Sequence, residues 1–405
     1  MDDNVRNTSA PAVLGICYMA GYLGGFTGKM LGSACLQVGV SPGHELGAWW
    51  LGWPIITLVH SSLALMFLLL PYKLHNTEEK QIEMTDDEQG GDNPEDQQSL
   101  IAELWQDLKR LASNKVLLCD SLAMSFFLFA STNRSYTSKF VEFQFQVSPS
   151  EASLFSGSSS MIGMISALAI SILVISFFKP PARVLAAYNF FTDILAVIIG
   201  LCFIFVDCDH HGINQPDQCY QDCHCSSVFK PVCDSSTSVT YFSPCSAGCS
   251  LSSAYSNMST IFTDCHCTSS GSVEAGYCQT DCRLPLMVFL ITQFVLNLIT
   301  GLGRIGNLLV HVRCVEKEDK ALGMAIQEVF LALIAFIPGE LLFGSLVDSA
   351  CSLWTQDECG HTGHCLGYNL TDLRTKLFGV SAAGFLFSAI FDGLVWRGVT
   401  NLKIY

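Results

Sequence analysis

Four basic residues stand inside long apolar runs: Lys29 in "GFTGKMLGS", Arg134 and Lys139 in "STNRSYTSKF", and Arg304 in "GLGRIGN". A cation in such a setting is costly to desolvate. It either reaches a polar boundary along its own stem or lines an interior that meets an anion. A second chemistry is carried by sulfur. Of 19 cysteines, eleven crowd one segment (Cys208, Cys219, Cys223, Cys225, Cys233, Cys245, Cys249, Cys265, Cys267, Cys278 and Cys282), and Cys351, Cys359 and Cys365 share a later one. That density predicts disulfides in an oxidising compartment. Eleven and three are both odd, so one bridge joins the two segments or one cysteine in each is left for another partner. Zinc held by "CHC" at 223–225 and 265–267 is the alternative. No G-x-S-x-G, P-loop or H-E-x-x-H motif occurs, and no Ser/His/Asp set is suggested. The chain is therefore not read as an enzyme, and no cofactor or metal is expected.

The elements that must position these residues are membrane spans. Half of the residues are hydrophobic, only 14% are charged, and the mean hydropathy is +0.39. Eight runs reach the ~20 apolar residues a helical span needs: 11–35, 47–71, 116–138, 153–178, 183–206, 284–310, 321–347 and 375–396. The first, third and seventh carry ionisable residues or several glycines and are expected to line an interior. Net charge is −15, but much of the excess acid lies in one loop, "EEKQIEMTDDEQGGDNPEDQ", which has the composition of a disordered tether. Nothing is basic enough to bind nucleic acid.

Lysine and arginine set the orientation. With both termini in the cytoplasm, segment 207–283 lies outside, carrying only Lys230 and Arg283 against eight acids. Residues 1–10 are polar, so no cleavable signal peptide is expected and an internal span drives insertion. Lys29 and Lys139 then fall near the outer surface, which favours snorkelling. Arg134 and Arg304 lie deeper, which favours a cavity. Trp49, Trp50 and Trp53 in "GAWWLGW" stand where the second span enters from outside, a boundary that suits indole rings. Asn257 and Asn369 head glycosylation sequons in outer loops. "SLIAELWQDLKRLASNK" places Ile101, Leu104, Trp105, Leu108 and Leu111 at helical spacing. This predicts either a short interfacial helix or an early start to the next span. Gly24, Gly28 and Gly32, with Gly21 and Gly25, offer a small face for close packing or a hinge.

Within the insert, "CSSVFKPVCDSSTSVTYFSPCSAGC" has the spacing C-x7-C-x11-C-x3-C. It resembles a Kazal module, with Ser226 and Ser227 in the loop that such modules use against proteases. A structural or gating cap is the reading preferred here. Eight spans, a cytoplasmic loop after the second and this insert after the fifth resemble the organic anion transporting polypeptides of the solute carrier family. "GAWWLGW", "SKFVEFQFQVSPSEASLFSG", "RCVEKEDKALGMAIQ" and "CSLWTQDECGHTGHCLGYN" carry the resemblance across essentially the whole chain.

The resemblance implies an all-α, major-facilitator-like polytopic membrane protein. The eight spans match spans five to twelve of a twelve-span fold, with the first four lacking. Its implied parts are 1–71, a two-span remnant of the N-terminal half; 72–115, an acidic cytoplasmic loop with an amphipathic helix; 116–206, three spans; 207–283, the extracellular Kazal-like domain; and 284–405, three spans with the last outer loop. It implies a plasma-membrane protein that takes up large amphipathic organic anions, such as steroid conjugates, bile salts, prostaglandins and thyroid hormones, without sodium. The alternative is a non-transporting membrane protein whose Kazal-like domain binds a protease or other partner. Organic anions and the lipid bilayer are thus the expected partners; protein partners stay unspecified. Lysines at the places of Lys29 and Lys139 fit the family. Arginines at 134 and 304 are not usual there. Ala332 stands where the family commonly has arginine, and Glu328, Glu340, Asp193 and Asp392 add acids within spans.

Overall fold

The structure, a computed structural model, describes residues 10–37, 48–67, 104–208, 230–249, 253–256, 259–276, 278, 282–356, 362–400, 402 and 404. Two helices come first: α1 (Ala10–Gln37) and, after a short 3-10 turn at Trp49–Leu51, α2 (Gly52–Phe67). A separate helix α3 spans 104–112. The bundle that follows comprises α4 (Lys115–Ser131), α5 (Asn133–Phe145), α6 (Pro149–Phe178), α7 (Ala182–Phe203), α8 (Arg283–Leu302), α9 (Arg304–Arg313), α10 (Lys320–Phe330), α11 (Ile337–Ser349) and α12 (Leu370–Gly398).

Helix ends follow local chemistry. Asn114 separates α3 from α4: its side chain accepts from Val116 N at 3.1 Å and Leu117 N at 3.2 Å, while its amide donates to Cys314 O at 2.8 Å. Residues 104–112 therefore form their own helix rather than an early start to the next span. Leu111 of that helix is buried, and Leu104 and Trp105 are exposed. Arg110 grips Asp319 through two hydrogen bonds of 2.9 and 2.6 Å, tying α3 to the turn before α10. At α6, Ser148 and Glu151 form a reciprocal capping box ahead of Pro149, satisfying amides that a helix start leaves unpaired.

Among the described residues six stretches are long and apolar enough to cross a membrane: Lys115–Phe145, Pro149–Phe178, Ala182–Phe203, Arg283–Arg313, Lys320–Ser349 and Leu370–Gly398. They fall on the last six of the eight expected spans. The first expected span is a 28-residue helix, α1, that is not among these six, and the second is the shorter apolar Gly52–Met66. Three of the six are interrupted. α4 and α5 break at Thr132, α8 and α9 break at Gly303, and α10 and α11 are joined by a π-helical stretch, Leu331–Phe336, followed at once by Pro338. Such breaks recur at sites of function because they free backbone groups and redirect side chains.

The core is layered along the bundle. Nearest the cysteine-rich insert is an aromatic cluster: Phe140 lies 5.0 Å from Phe378 and 5.3 Å from Phe289, which is 4.9 Å from Phe203. At the opposite end Met164, Leu168, Ile175, Leu185, Ile305, Leu309 and Val395 pack together. Buried polar side chains, among them Asp120, Asp193, Asn297, Arg304, Asn307, His311 and Asp392, form a polar layer within the bundle.

The insert carries β1 (Val232–Asp234), β2 (Val239–Tyr241), β3 (Ser253–Ser256), β4 (Ser259–Thr263) and β5 (Ser272–Ala275) in the antiparallel order β2-β1-β5-β4-β3. Asp234 closes the β1–β2 turn. Its carboxylate accepts from Ser236 N (3.0 Å), Ser236 Oγ (2.7 Å), Thr237 Oγ1 (3.0 Å) and Ser270 Oγ (2.8 Å). Burial raises its pKa, but these donors outweigh that and hold it down at about 2. Disulfides Cys233–Cys278 and Cys249–Cys265 cross the insert, and Cys208–Cys282 pins its base between α7 and α8. Beside that bridge Arg374 donates to Asp207 at 2.8 Å, and the arginine's hydrogen bond leads in lowering the Asp207 pKa. Two further strands, β6 (Cys351–Gln356) and β7 (Thr362–Tyr368), form a hairpin closed by Cys351–Cys365.

The disulfide framework expected from composition is present. Cys245 and Cys267 are bonded as well, so the second "CHC" belongs to bridges. Cys219, Cys223, Cys225 and Cys359 lie outside the described residues, as do Ser226, Ser227 and Ile101. The five cysteines in or beside helices, Cys17, Cys35, Cys119, Cys202 and Cys314, are free.

Candidate anion-binding cavity

A cavity of about 230 Å³ opens between α1, α5 and α6, lined by Gly21, Tyr22, Gly25, Phe26, Lys29, Arg134, Ser135, Gly157, Ser160 and Met161. Its construction follows from the helices. α1 crosses α6 so closely that a Cβ on Gly15 would stand 2.5 Å from the Ile172 side chain. Further along, the aliphatic stem of Lys29 lies across Gly157, where a Cβ would approach the lysine Cδ to 3.0 Å. Arg134 follows the α4–α5 break by two residues, so it projects from a fresh turn of helix into the space facing α1. Tyr22 lines the same cavity as its guanidinium.

Lys29 and Arg134 thus share one cavity. Among the described residues neither makes a salt bridge. Two cations held together in a wall of glycine, aromatic and methionine side chains repel one another and lack counter-charge. An anion supplies both deficits. A second, more apolar groove of about 420 Å³ runs along α1 at Cys17, Tyr18, Gly21 and Tyr22. It shares Gly21 and Tyr22 with the cationic cavity. A cation-lined cavity and a more apolar groove therefore adjoin along α1. The glycines of α1 serve this openness: nothing lies within 4 Å of a Cβ built on Gly21, Gly24, Gly25, Gly28 or Gly32. The close helix packing expected of that face is not found among the described residues.

The other two sequence-predicted cations lie elsewhere. Lys139 is exposed, ion-pairs with Glu142 at 3.1 Å and stands 5.7 Å from the Phe143 ring centre. Arg304 is buried in the polar layer with its guanidinium carbon 3.7 Å over the Phe127 ring. Trp50 and Trp53 are exposed on the helix surface, while the Trp49 side chain is outside the described residues. Asn369 caps α12 by accepting from Asp372 N at 3.2 Å; Asn257 is outside the described residues. Glu340 meets Ser135 Oγ at 3.3 Å, and Glu328 is exposed.

Sequence reasoning missed the buried pair of Asp120 and His311, whose Oδ2 and Nδ1 lie 2.7 Å apart, with Asn307 donating to Asp120 Oδ1 at 3.0 Å. The signal was available: Asp120 in "VLLCDSLAM" and His311 in "LLVHVR" are ionisable residues inside apolar runs. It also missed Tyr22 and Gly157, whose roles come only from how α1 crosses α6.

Long apolar helices, several of them interrupted in mid-course, define a polytopic helical membrane protein. The chain belongs to the Organic Anion Transporter Polypeptide (OATP) family, whose family model matches residues 1–373. It is 28% identical over 435 residues to solute carrier organic anion transporter family member 4C1 of Pongo abelii and 27% identical to the Homo sapiens protein of that name, each alignment covering 97% of this chain and 60% of the relative. Member 74D of Drosophila melanogaster is 26% identical over 431 residues, covering all of this chain and 52% of the relative. The chain thus spans about 60% or less of the length of these relatives.

Proposed function

We propose that the chain takes part in sodium-independent passage of large amphipathic organic anions, such as steroid conjugates, across the plasma membrane. The observation that carries this reading is the shared placement of Lys29 and Arg134, both without an acidic partner among the described residues, beside an apolar groove. Ligand sites of this kind are mostly apolar with a few placed charges. The anionic head sits at the two cations and the hydrocarbon body along Tyr18 and Tyr22.

In this reading the eight expected spans correspond to spans five to twelve of a major-facilitator arrangement. The insert is an extracellular Kazal-like cap, glycosylated at Asn257, with Asn369 glycosylated in the last outer loop and both termini cytoplasmic. Support for the cap comes from its cysteine spacing and from the hairpin that pairs Val232 with Tyr241. Relatives named as organic anion transporters support the substrate class.

The test is uptake of a labelled steroid sulfate by cells displaying the 405-residue chain. Uptake above that of mock-transfected cells, unchanged when sodium is replaced by choline, is expected. Uptake equal to the mock, with the protein confirmed at the surface, refutes transport by this chain.

A further inference from the structure

The polar layer holds a second charge cluster, apart from the cation-lined cavity. Asp193 on α7 and Asp392 on α12 are 3% and 4% exposed, and both line one small cavity with a carboxyl oxygen each left without a hydrogen-bond partner. Two carboxylates cannot hydrogen-bond without a proton between them, because an ionised carboxylate only accepts. Two adjacent acids in an apolar interior do not both ionise.

The surroundings fix how many protons fit. A cavity of about 20 Å³ is lined by Asp193, Asp392, Arg304, Asn189, Asn307 and Ser388 among others, enough for one water molecule. Arg304, 6% exposed, borders it with its Nε unpartnered, as are Asp193 Oδ2 and Asp392 Oδ1. From α4 and α9 the remaining ionisable groups are Asp120 and His311, already engaged with each other at 2.7 Å. From α8 comes only the neutral Thr300. Arg304 contributes one positive charge to the cavity, which one negative charge on the acid pair balances. One proton on two carboxyls gives that balance.

We propose that Asp193 and Asp392 form a proton-binding site, holding one shared proton at neutral pH at the contact of α7 and α12, with Arg304 as counter-charge and a bound water completing its hydrogen bonds. The proton belongs to the packed state of these helices: moving α7 from α12 leaves one carboxyl protonated and the other ionised, with no partner for either. The site does not depend on whether the chain transports anions.

The test is infrared difference spectroscopy of the purified full chain in lipid nanodiscs. At pH 7 the wild type is expected to show the carbonyl-stretch band of a protonated carboxylic acid in an apolar setting. Asp193→Asn and Asp392→Asn, each the shape of the protonated acid, are each expected to abolish it. Glu340→Gln is expected to leave it in place. Absence of the band in the folded wild type overturns the proposal. So does its survival in a folded Asn variant, or its loss in Asp120→Asn alone. Should neither variant fold, carboxyl-carbon-labelled aspartate in the wild type decides by solid-state NMR: a protonated aspartate signal at neutral pH supports the site, and only ionised aspartates overturn it.

Discussion

Replacing Arg134 with glutamine removes one positive charge from the cavity while keeping a shorter, polar side chain. Two unit charges 4 Å apart attract by about 4 kcal/mol at an effective dielectric of 20. Desolvating the anion and the guanidinium offsets much of this. The net worth of a hydrogen bond to a charged group is roughly 1.5–3 kcal/mol, which corresponds to about 10- to 150-fold in Kd. Lys29 stays in place in this variant and retains part of the field, so the loss should lie toward the lower end, on the order of 10- to 30-fold. The assay is equilibrium binding of a labelled steroid sulfate to the purified chain in nanodiscs, run beside the uncharged parent steroid. The sulfate should lose affinity, while the parent steroid, which meets only the Tyr18–Tyr22 groove, should change less than about twofold. Lys29→Met should act alike, and the double variant should lose at least the product of the two, because no cation is then left to hold the head group. Equal losses for charged and uncharged ligands, or no loss for either, would refute an electrostatic role for the pair.

Gly157→Leu should close the cavity, since even a Cβ there meets Lys29 Cδ at 3.0 Å; steroid sulfate binding should fall at least tenfold in the same assay, with the melting temperature little changed. Asp234 is held at a pKa of about 2, below its ordinary value, so its contribution to the insert is full above about pH 4 and is lost as pH falls toward 2. Asp234→Asn should therefore cost the insert roughly 2 kcal/mol at pH 7, read as faster hydrogen exchange in β1 and β2, and acidifying the wild type to pH 2 should reproduce it. Asp120→Ala leaves His311 and Asn307 buried without their partner and should destabilise the bundle by about 3–5 kcal/mol, read as a fall in melting temperature. His311→Gln in that background should recover part of the loss.

Much of the architecture was legible in the chain because a membrane span announces itself by length and composition alone. The last six expected runs sit on helices that meet the span criterion. The reason the first two stand apart is also in their residues: α1 spends six positions on glycine and one on lysine, which lowers its hydropathy, and only 16 residues of α2 are described as helix. Disulfides were legible for a similar reason, since crowded cysteines need no register to be recognised. What periodicity did not reveal was the break at Thr132, because Ser131, Thr132 and Asn133 read as an ordinary polar interruption.

That break decides the site. A side chain's bearing around a helix advances by roughly 100° per residue, so an interruption one or two residues ahead of a cation resets which neighbour it meets. Arg134 follows Thr132 and faces α1; Arg304 follows Gly303 and turns inward to Phe127, Met124 and the acid layer. Gly303 permits this because a Cβ there would collide with the Asn189 amide oxygen. The two arginines look alike in sequence, each a cation in a small-residue stretch, yet one is left unpaired beside an open cavity and the other is enclosed with carboxylates. Only the unpaired one gains from binding an anion. Arg304 shares its small cavity with Asp193 and Asp392, so Arg304→Gln should leave sulfate affinity within about twofold while lowering the melting temperature. A loss of sulfate affinity as large as that of Arg134→Gln would show that the two cavities act as one.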